Sequence, residues 1–244
     1  MLTAVVGALA VLVGAFVKGA VAFGFPTIAT PLFALVVDVR TAVAILILPN
    51  LVMDAIQILR RPGLLGTLRR HGVLYALGVV GTFLGTYWLT RISDRQALLV
   101  LGLFVLVFVV INASRLSLRV NPAWERYLAA PAGLVAGVMG GITNAHGTPL
   151  VLYFYALGLD KAEFVRAIAV AFIVYKAAQL VAVIQVGIMT LPLFGFSALA
   201  TLAALGAFWL GLRVQDRMNQ RAFNRAVLVV LAGLGAFLVF RAVR

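Results

Sequence analysis

The stretch Gln96–Asn112 (QALLVLGLFVLVFVVIN) carries no charged side chain, and Asn224–Val243 is nearly as apolar. Runs of this kind approach the ~20 residues that a helix needs to cross the hydrocarbon of a bilayer. In that medium every backbone N–H and C=O must find a partner inside the protein, which leaves only helices or closed barrels. Barrel strands alternate in polarity over segments of about ten residues, and this chain does not. The constraint extends over its whole length. Of 244 residues, 64% are hydrophobic and 11% charged, whereas soluble domains carry about 25% charge. The expected fold class is all-α: a polytopic integral membrane protein.

Composition closes several other routes. The net charge of +13 would suggest nucleic acid in a soluble chain, but the arginines sit in short connections between apolar runs, where they set orientation. No basic face interleaved with aromatics is present, so nucleic acid is not an expected partner. The chain has no cysteine and two histidines, His71 and His146, so neither a disulfide framework nor a metal site is expected. No HExxH, GxSxG, P-loop or paired-carboxylate pattern occurs, which leaves enzymatic chemistry and cofactors without an anchor. The first run, Leu2–Val17, lacks a basic leader and a cleavage site and reads as retained structure.

A motif occurs twice. GAFVKGAVAFGFPTIATPLFAL (Gly14–Leu35) returns about 118 positions later as AGLVAGVMGGITNAHGTPLVLY (Ala132–Tyr153), with Pro31 set against Pro149 and Pro26 against Asn144. Further on, NLVMDAIQ (Asn50–Gln57) corresponds to FIVYKAAQ (Phe172–Gln179) after an apparent four-residue insertion. Two related halves with Gly/Pro-interrupted apolar segments at equivalent places point to a transporter, with its site where the interruptions meet.

The expected organisation is two inverted repeats, each a short helical hairpin followed by three transmembrane helices. The first, 1–114, comprises a hairpin over 1–37 and helices over 41–59, 72–90 and 96–113. A basic cytoplasmic linker, 115–126, follows. The second repeat, 127–244, comprises a hairpin over 127–159 and helices over 164–186, 192–212 and 224–243. Each hairpin either dips to the midplane or crosses as two short helices. Placing residues 60–71 in the cytoplasm puts thirteen Lys/Arg inside (Arg60, Arg61, Arg69, Arg70, Arg115, Arg119, Arg126, Lys161, Arg166, Arg213, Arg217, Arg221 and Arg225) against five outside (Arg40, Arg91, Arg95, Arg241 and Arg244). That asymmetry follows the positive-inside rule and starts the two halves on opposite sides. Trp88, Trp124 and Trp209 read as interfacial anchors.

Two basic residues, Lys18 and Lys176, remain inside apolar segments with Asp54 and His146. Each ionised group in hydrocarbon costs on the order of 2.5–3.5 kcal/mol and needs a partner, a water-filled cavity or a substrate. Asn50, Asp54 and Gln57 share one helix face, and Lys176 and Gln179 repeat the spacing. Asp54 pairs with Lys18 or Lys176 in a structural salt bridge, or these groups serve binding and coupling. Helix starts expected near Pro26 and Asn144 would aim free amides and partial positive charge at the centre, an anion site. Thr27, Thr30, Thr143, Asn144 and Thr148 supply neutral donors around it. His146 is a proton-coupling group, a substrate donor or a satisfied polar residue.

The motif residues Gly14, Lys18-Gly19, Phe23-Gly24-Phe25-Pro26 and Thr30-Pro31, with Gly133, Gly137, Gly140-Gly141 and Gly147-Thr148-Pro149, resemble the sulfite exporter TauE/SafE family, also described as toluenesulfonate uptake permeases. The resemblance spans nearly the whole chain. Asn144-Ala145-His146 stands where the family more usually has small residues and glycine. What the resemblance implies is a secondary transporter, multi-pass in the cytoplasmic (inner) membrane of a bacterium. It would move a small organic or inorganic sulfur anion such as sulfite, a sulfonate or sulfoacetate. Substrate contacts are assigned to Lys18, Phe23, Thr27, Asn50, Thr143, Asn144, His146, Thr148, Lys176 and Gln179, and coupling to Asp54 and His146. Its partners are that anion and membrane lipid; protons and a second copy of the chain are left open. The alternatives are a passive anion channel, a non-transporting membrane partner subunit or an intramembrane enzyme.

Overall fold

The computed structural model describes residues 2–34, 36–60, 62–113 and 119–217, with scattered positions from 225 to 240. Most of the expected last helix, 224–243, and residues 115–118 of the expected linker 115–126 lie outside the described residues. Ten α-helices and no strands make up the described part. In the first half, α1 (Leu2–Val21) and α2 (Phe25–Phe33) form a hairpin. They are followed by α3 (Val39–Leu59), a short α4 (Leu64–Arg70), α5 (Gly72–Leu89) and α6 (Asp94–Ala113). In the second half the hairpin is α7 (Pro122–Thr143) and α8 (Gly147–Ala156), followed by α9 (Lys161–Gln185) and α10 (Leu191–Arg217).

Among the described residues, α3, α5, α9 and α10 are long and apolar enough to cross a bilayer. Together with α1, these helices turn apolar side chains outward, and α1, α3 and α9 carry buried charge inward. Leu202 is 69% exposed and Leu9 55%, whereas Lys18, Asp54 and Lys176 are completely buried. Water penalises such a surface and lipid does not. All three tryptophans are more than half exposed, consistent with interfacial anchoring.

The structure gives the hairpins their shape. Their arms are unequal: α1 and α7 have 20 and 22 residues, α2 and α8 only 9 and 10. At 1.5 Å per residue the first arm spans about 30 Å and the second about half of that. Helix α7 also begins inside the segment expected to be a linker, and the basic stretch 60–71 contains α4 rather than a plain loop.

The register of the repeat is also corrected. Asp38 caps α3 by accepting from the Thr41 N–H, and Asp160 caps α9 by accepting from the Glu163 N–H. Ala22 and Asn144, the residues that follow or close the long arms, both take positive φ, 72° and 68°. Asp38/Asp160, Ala22/Asn144, Asp54/Lys176 and Gln57/Gln179 all lie 122 positions apart. One register therefore covers hairpin and following helix with no insertion, and it pairs Lys18 with Gly140, not Pro26 with Asn144.

The halves interlock, because each long hairpin arm packs on a helix of the other half: α1 on α10, and α7 on α5. Both contacts bring backbone against backbone through glycine. A Cβ on Gly19 would sit 2.3 Å from the Phe208 carbonyl oxygen, and one on Gly137 would sit 2.1 Å from that of Gly78. Small residues permit such approach where lipid supplies no hydrophobic drive between helices. A proline adds a further tie. Pro49 has no N–H to offer the Ile45 carbonyl, and Ser197 of α10 donates to that oxygen instead, at 2.6 Å.

Candidate functional site

Helices α3 and α9 pack on each other at the centre and carry the equivalent residues Asp54 and Lys176. The two hairpin turns close over them. On the first side, the Lys18 ammonium donates to Asp54 Oδ1 at 2.6 Å, and Asn50 Nδ2 donates to Oδ2 at 2.9 Å. Of the two pairings open to Asp54, the structure thus selects Lys18. The same ammonium lies 4.7 Å from the centre of the Phe172 ring, a cation–π contact. Gln57 Nε2 donates to the Lys18 carbonyl at 3.3 Å.

On the second side, Gln179 Nε2 donates to the Gly140 carbonyl at 3.0 Å, the counterpart of the Gln57 bond. Lys176 has no carboxylate in salt-bridge range among the described residues. Its ammonium is held by Asn144 Oδ1, by the Asn144 carbonyl at 3.2 Å and by Gln179 Oε1 at 2.6 Å. Three neutral oxygens meet the three N–H bonds of an ammonium, which has donors and no acceptor. Asn144 reaches this position from a left-handed backbone conformation that Asn tolerates better than most residues, and its Nδ2 donates to Thr30 Oγ1 at 3.3 Å, joining the hairpins.

The remaining expected residues fall around this centre with different roles. Phe23 is buried and packs edge-on to Phe164, with ring centroids 6.3 Å apart. Thr27 is buried in the first turn of α2. Thr143 donates to the Met139 carbonyl at 2.6 Å, so its hydroxyl is committed to its own helix. The side chain of Thr148 lies outside the described residues. Helix α8 starts at Gly147, three residues beyond the expected Asn144, and makes His146 its N-cap, with no side-chain capping bond. The His146 ring lies against Tyr175, 5.4 Å between centroids, in space that a side chain on Gly140 would fill. Among the described residues neither of its buried nitrogens has a hydrogen-bond partner within range, nor do Asn50 Oδ1 and Gln57 Oε1. Buried polar atoms are seldom left unpaired, and His146 itself stands at the uncapped start of α8. Sequence reasoning missed the Lys18 and Gly140 carbonyls, Phe172 and Tyr175. Only the register of 122 could have pointed to the first two.

A cavity of about 570 Å3 lies between α1, α2, α3 and α10, but Val11, Phe33, Val37, Leu193 and Phe196 give it an apolar wall unsuited to an anion. Among the described residues no group of three His, Cys, Asp or Glu could hold a metal.

One end of the bundle is closed by charge. Arg70 donates from Nε and Nη2 to Glu125 at 2.9 and 3.0 Å and from Nη1 to Glu163 at 2.6 Å. Arg166 holds Thr67 and the Pro62 carbonyl, both at 2.7 Å, and Arg60 pairs with Asp216 at 2.6 Å. Each contact ties the first half to the second. Glu125 and Glu163 hold the Arg70 pKa up against the lesser opposing cost of burial. Beside it, His71 packs against Tyr75, Tyr153 and Phe154. Burial and the Arg70 charge push its pKa down to about 4, against the pull of Glu125.

Interlocked halves, each with a hairpin turned toward buried charge, describe a multi-pass helical membrane protein. The family model described as sulfite exporter TauE/SafE matches residues 6–238. The chain belongs to that family. No curated protein and no solved structure matches it.

Proposed function

We propose that the protein is a secondary transporter that carries a small sulfur-containing anion, of the sulfite, sulfonate or sulfoacetate type, across the cytoplasmic membrane of a bacterium. The observation that carries this reading is Lys176, a completely buried ammonium whose hydrogen-bond partners among the described residues are all neutral oxygens. A charge in that position is costly until an anion arrives. An incoming sulfonate or sulfite oxygen replaces one of the three neutral acceptors, and the exchange gains a charge-assisted bond. Lys18 and the uncapped starts of α2 and α8 supply further donors.

In this reading the two repeats are inverted, with residues 60–71 in the cytoplasm. The Arg70–Glu125–Glu163 cluster is then the inner gate, closed around an occluded centre. Export needs no coupling ion, because an inside-negative potential drives an anion outward with about 2.3 kcal/mol per charge per 100 mV. Import would need a co-transported cation, for which Asp54 and His146 are the groups available to carry a proton. The test is flux of radiolabelled sulfite in proteoliposomes, with potential and pH gradient imposed separately. Saturable, potential-driven flux supports the proposal; no flux above protein-free vesicles refutes it.

A further inference from the structure

The two repeats differ in charge at the one place where they should match. In the first, Lys18 and Asp54 form a neutral pair at 2.6 Å. Their counterparts in the second are Gly140 and Lys176, so a single cation stands there. Lys18, Asp54 and Lys176 are the only fully buried Lys, Arg, Asp or Glu among the described residues. They also lie close enough to act on one another electrostatically. His146 has no carboxylate within salt-bridge range among the described residues and counts as neutral. With these three groups ionised, the closed centre holds two positive charges and one negative.

We infer that this centre is a charge counter that selects a substrate with one net negative charge, and that Asp54 is the residue that sets the count. The inference rests on the anion-site reading above and deepens it. In a buried, low-dielectric interior an unbalanced charge has a high self-energy, so the occluded complex is most stable when its charges sum to zero. A monoanion such as a simple sulfonate or hydrogensulfite completes the balance. A dianion overshoots by one, and a zwitterion leaves the cation uncompensated. Asp54 acts at 2.6 Å on Lys18 and through space on Lys176, so removing its charge alters the requirement without removing the ammonium that receives the anion.

Isethionate, sulfoacetate and taurine share a two-carbon sulfonate frame and carry one, two and zero net negative charges at neutral pH. Their binding to purified full-length protein is measured by calorimetry at one pH. Wild type should bind isethionate at least tenfold more tightly than the other two. Asp54→Asn should prefer sulfoacetate, and Lys18→Met with Asp54→Asn, which restores the original count, should prefer isethionate again. Should Asp54→Asn fail to fold, wild type and the double variant still decide, since both must rank isethionate first. Wild type ranking sulfoacetate or taurine level with isethionate, or Asp54→Asn keeping the wild-type order, overturns the inference while leaving the anion site standing. No binding of any of the three overturns the site and this inference with it.

Discussion

Replacing Lys18 with Met is the sharpest perturbation of the folded state that the structure offers. The side chain is completely buried, and among the described residues its ammonium is the one charged group bonded to Asp54, at 2.6 Å. Met has a similar volume and flexibility, so packing changes little. What remains is a buried carboxylate whose hydrogen-bond partner among the described residues is Asn50, at 2.9 Å. Removing one partner of a buried ion pair costs about 3–5 kcal/mol, because the survivor keeps its desolvation penalty. Removing both partners together costs far less, since no charge is stranded. Lys18→Met should therefore lose about 3–5 kcal/mol of unfolding free energy, and Lys18→Met with Asp54→Asn should return to within about 1 kcal/mol of wild type. Reversible unfolding in mixed micelles, followed by tryptophan fluorescence, measures both. A single variant as stable as wild type, or a double variant no better than the single, refutes the stranded-charge argument.

The orientation is testable with single cysteines at exposed Leu65 and Ser93: an impermeant thiol reagent added to intact cells should label Ser93→Cys and spare Leu65→Cys, and the reverse pattern would invert the topology. His71, with a folded pKa near 4 against about 6.5 unfolded, contributes stability that is complete above pH 6.5 and lost as pH falls toward 4. Unfolding of His71→Phe should accordingly be less acid-sensitive over that window than unfolding of wild type, and equal slopes would remove the assignment. Gly137→Leu, with backbone 2.1 Å from the first added atom, should abolish the folded monomer in size-exclusion chromatography, while Gly206→Leu, with open space around it, should not.

Helix positions were legible because lipid leaves a chain few choices: apolar runs of sufficient length become helices, and α3, α5, α9 and α10 fall within a few residues of expectation, with α10 running on past its expected end. The inward-facing stripe of Asn50, Asp54 and Gln57 was legible for the same reason, since hydrocarbon excludes those side chains. The unequal hairpin arms were not, because nothing in the apolar pattern of Pro122–Thr143 marks how deep the turn sits. Register failed on a specific coincidence. Thr30-Pro31 and Thr148-Pro149 align by identity, yet the fold matches Ala22 with Asn144 by their shared left-handed backbone, and conformation outweighs residue identity there. The partner of Asp54 was not legible either, since Lys18 and Lys176 are equally apolar in context. Only the Lys18–Asp54 contact itself settles it.

The central claim is that Lys176 receives the anion. A charge-assisted hydrogen bond contributes about 1.5–3 kcal/mol, which is roughly a tenfold to hundredfold change in affinity. Equilibrium binding of isethionate to Lys176→Gln, with Arg95→Gln as a control away from the centre, tests it directly. The account predicts that loss for Lys176→Gln and wild-type affinity for the control; a folded Lys176→Gln protein that binds isethionate as wild type does would contradict it.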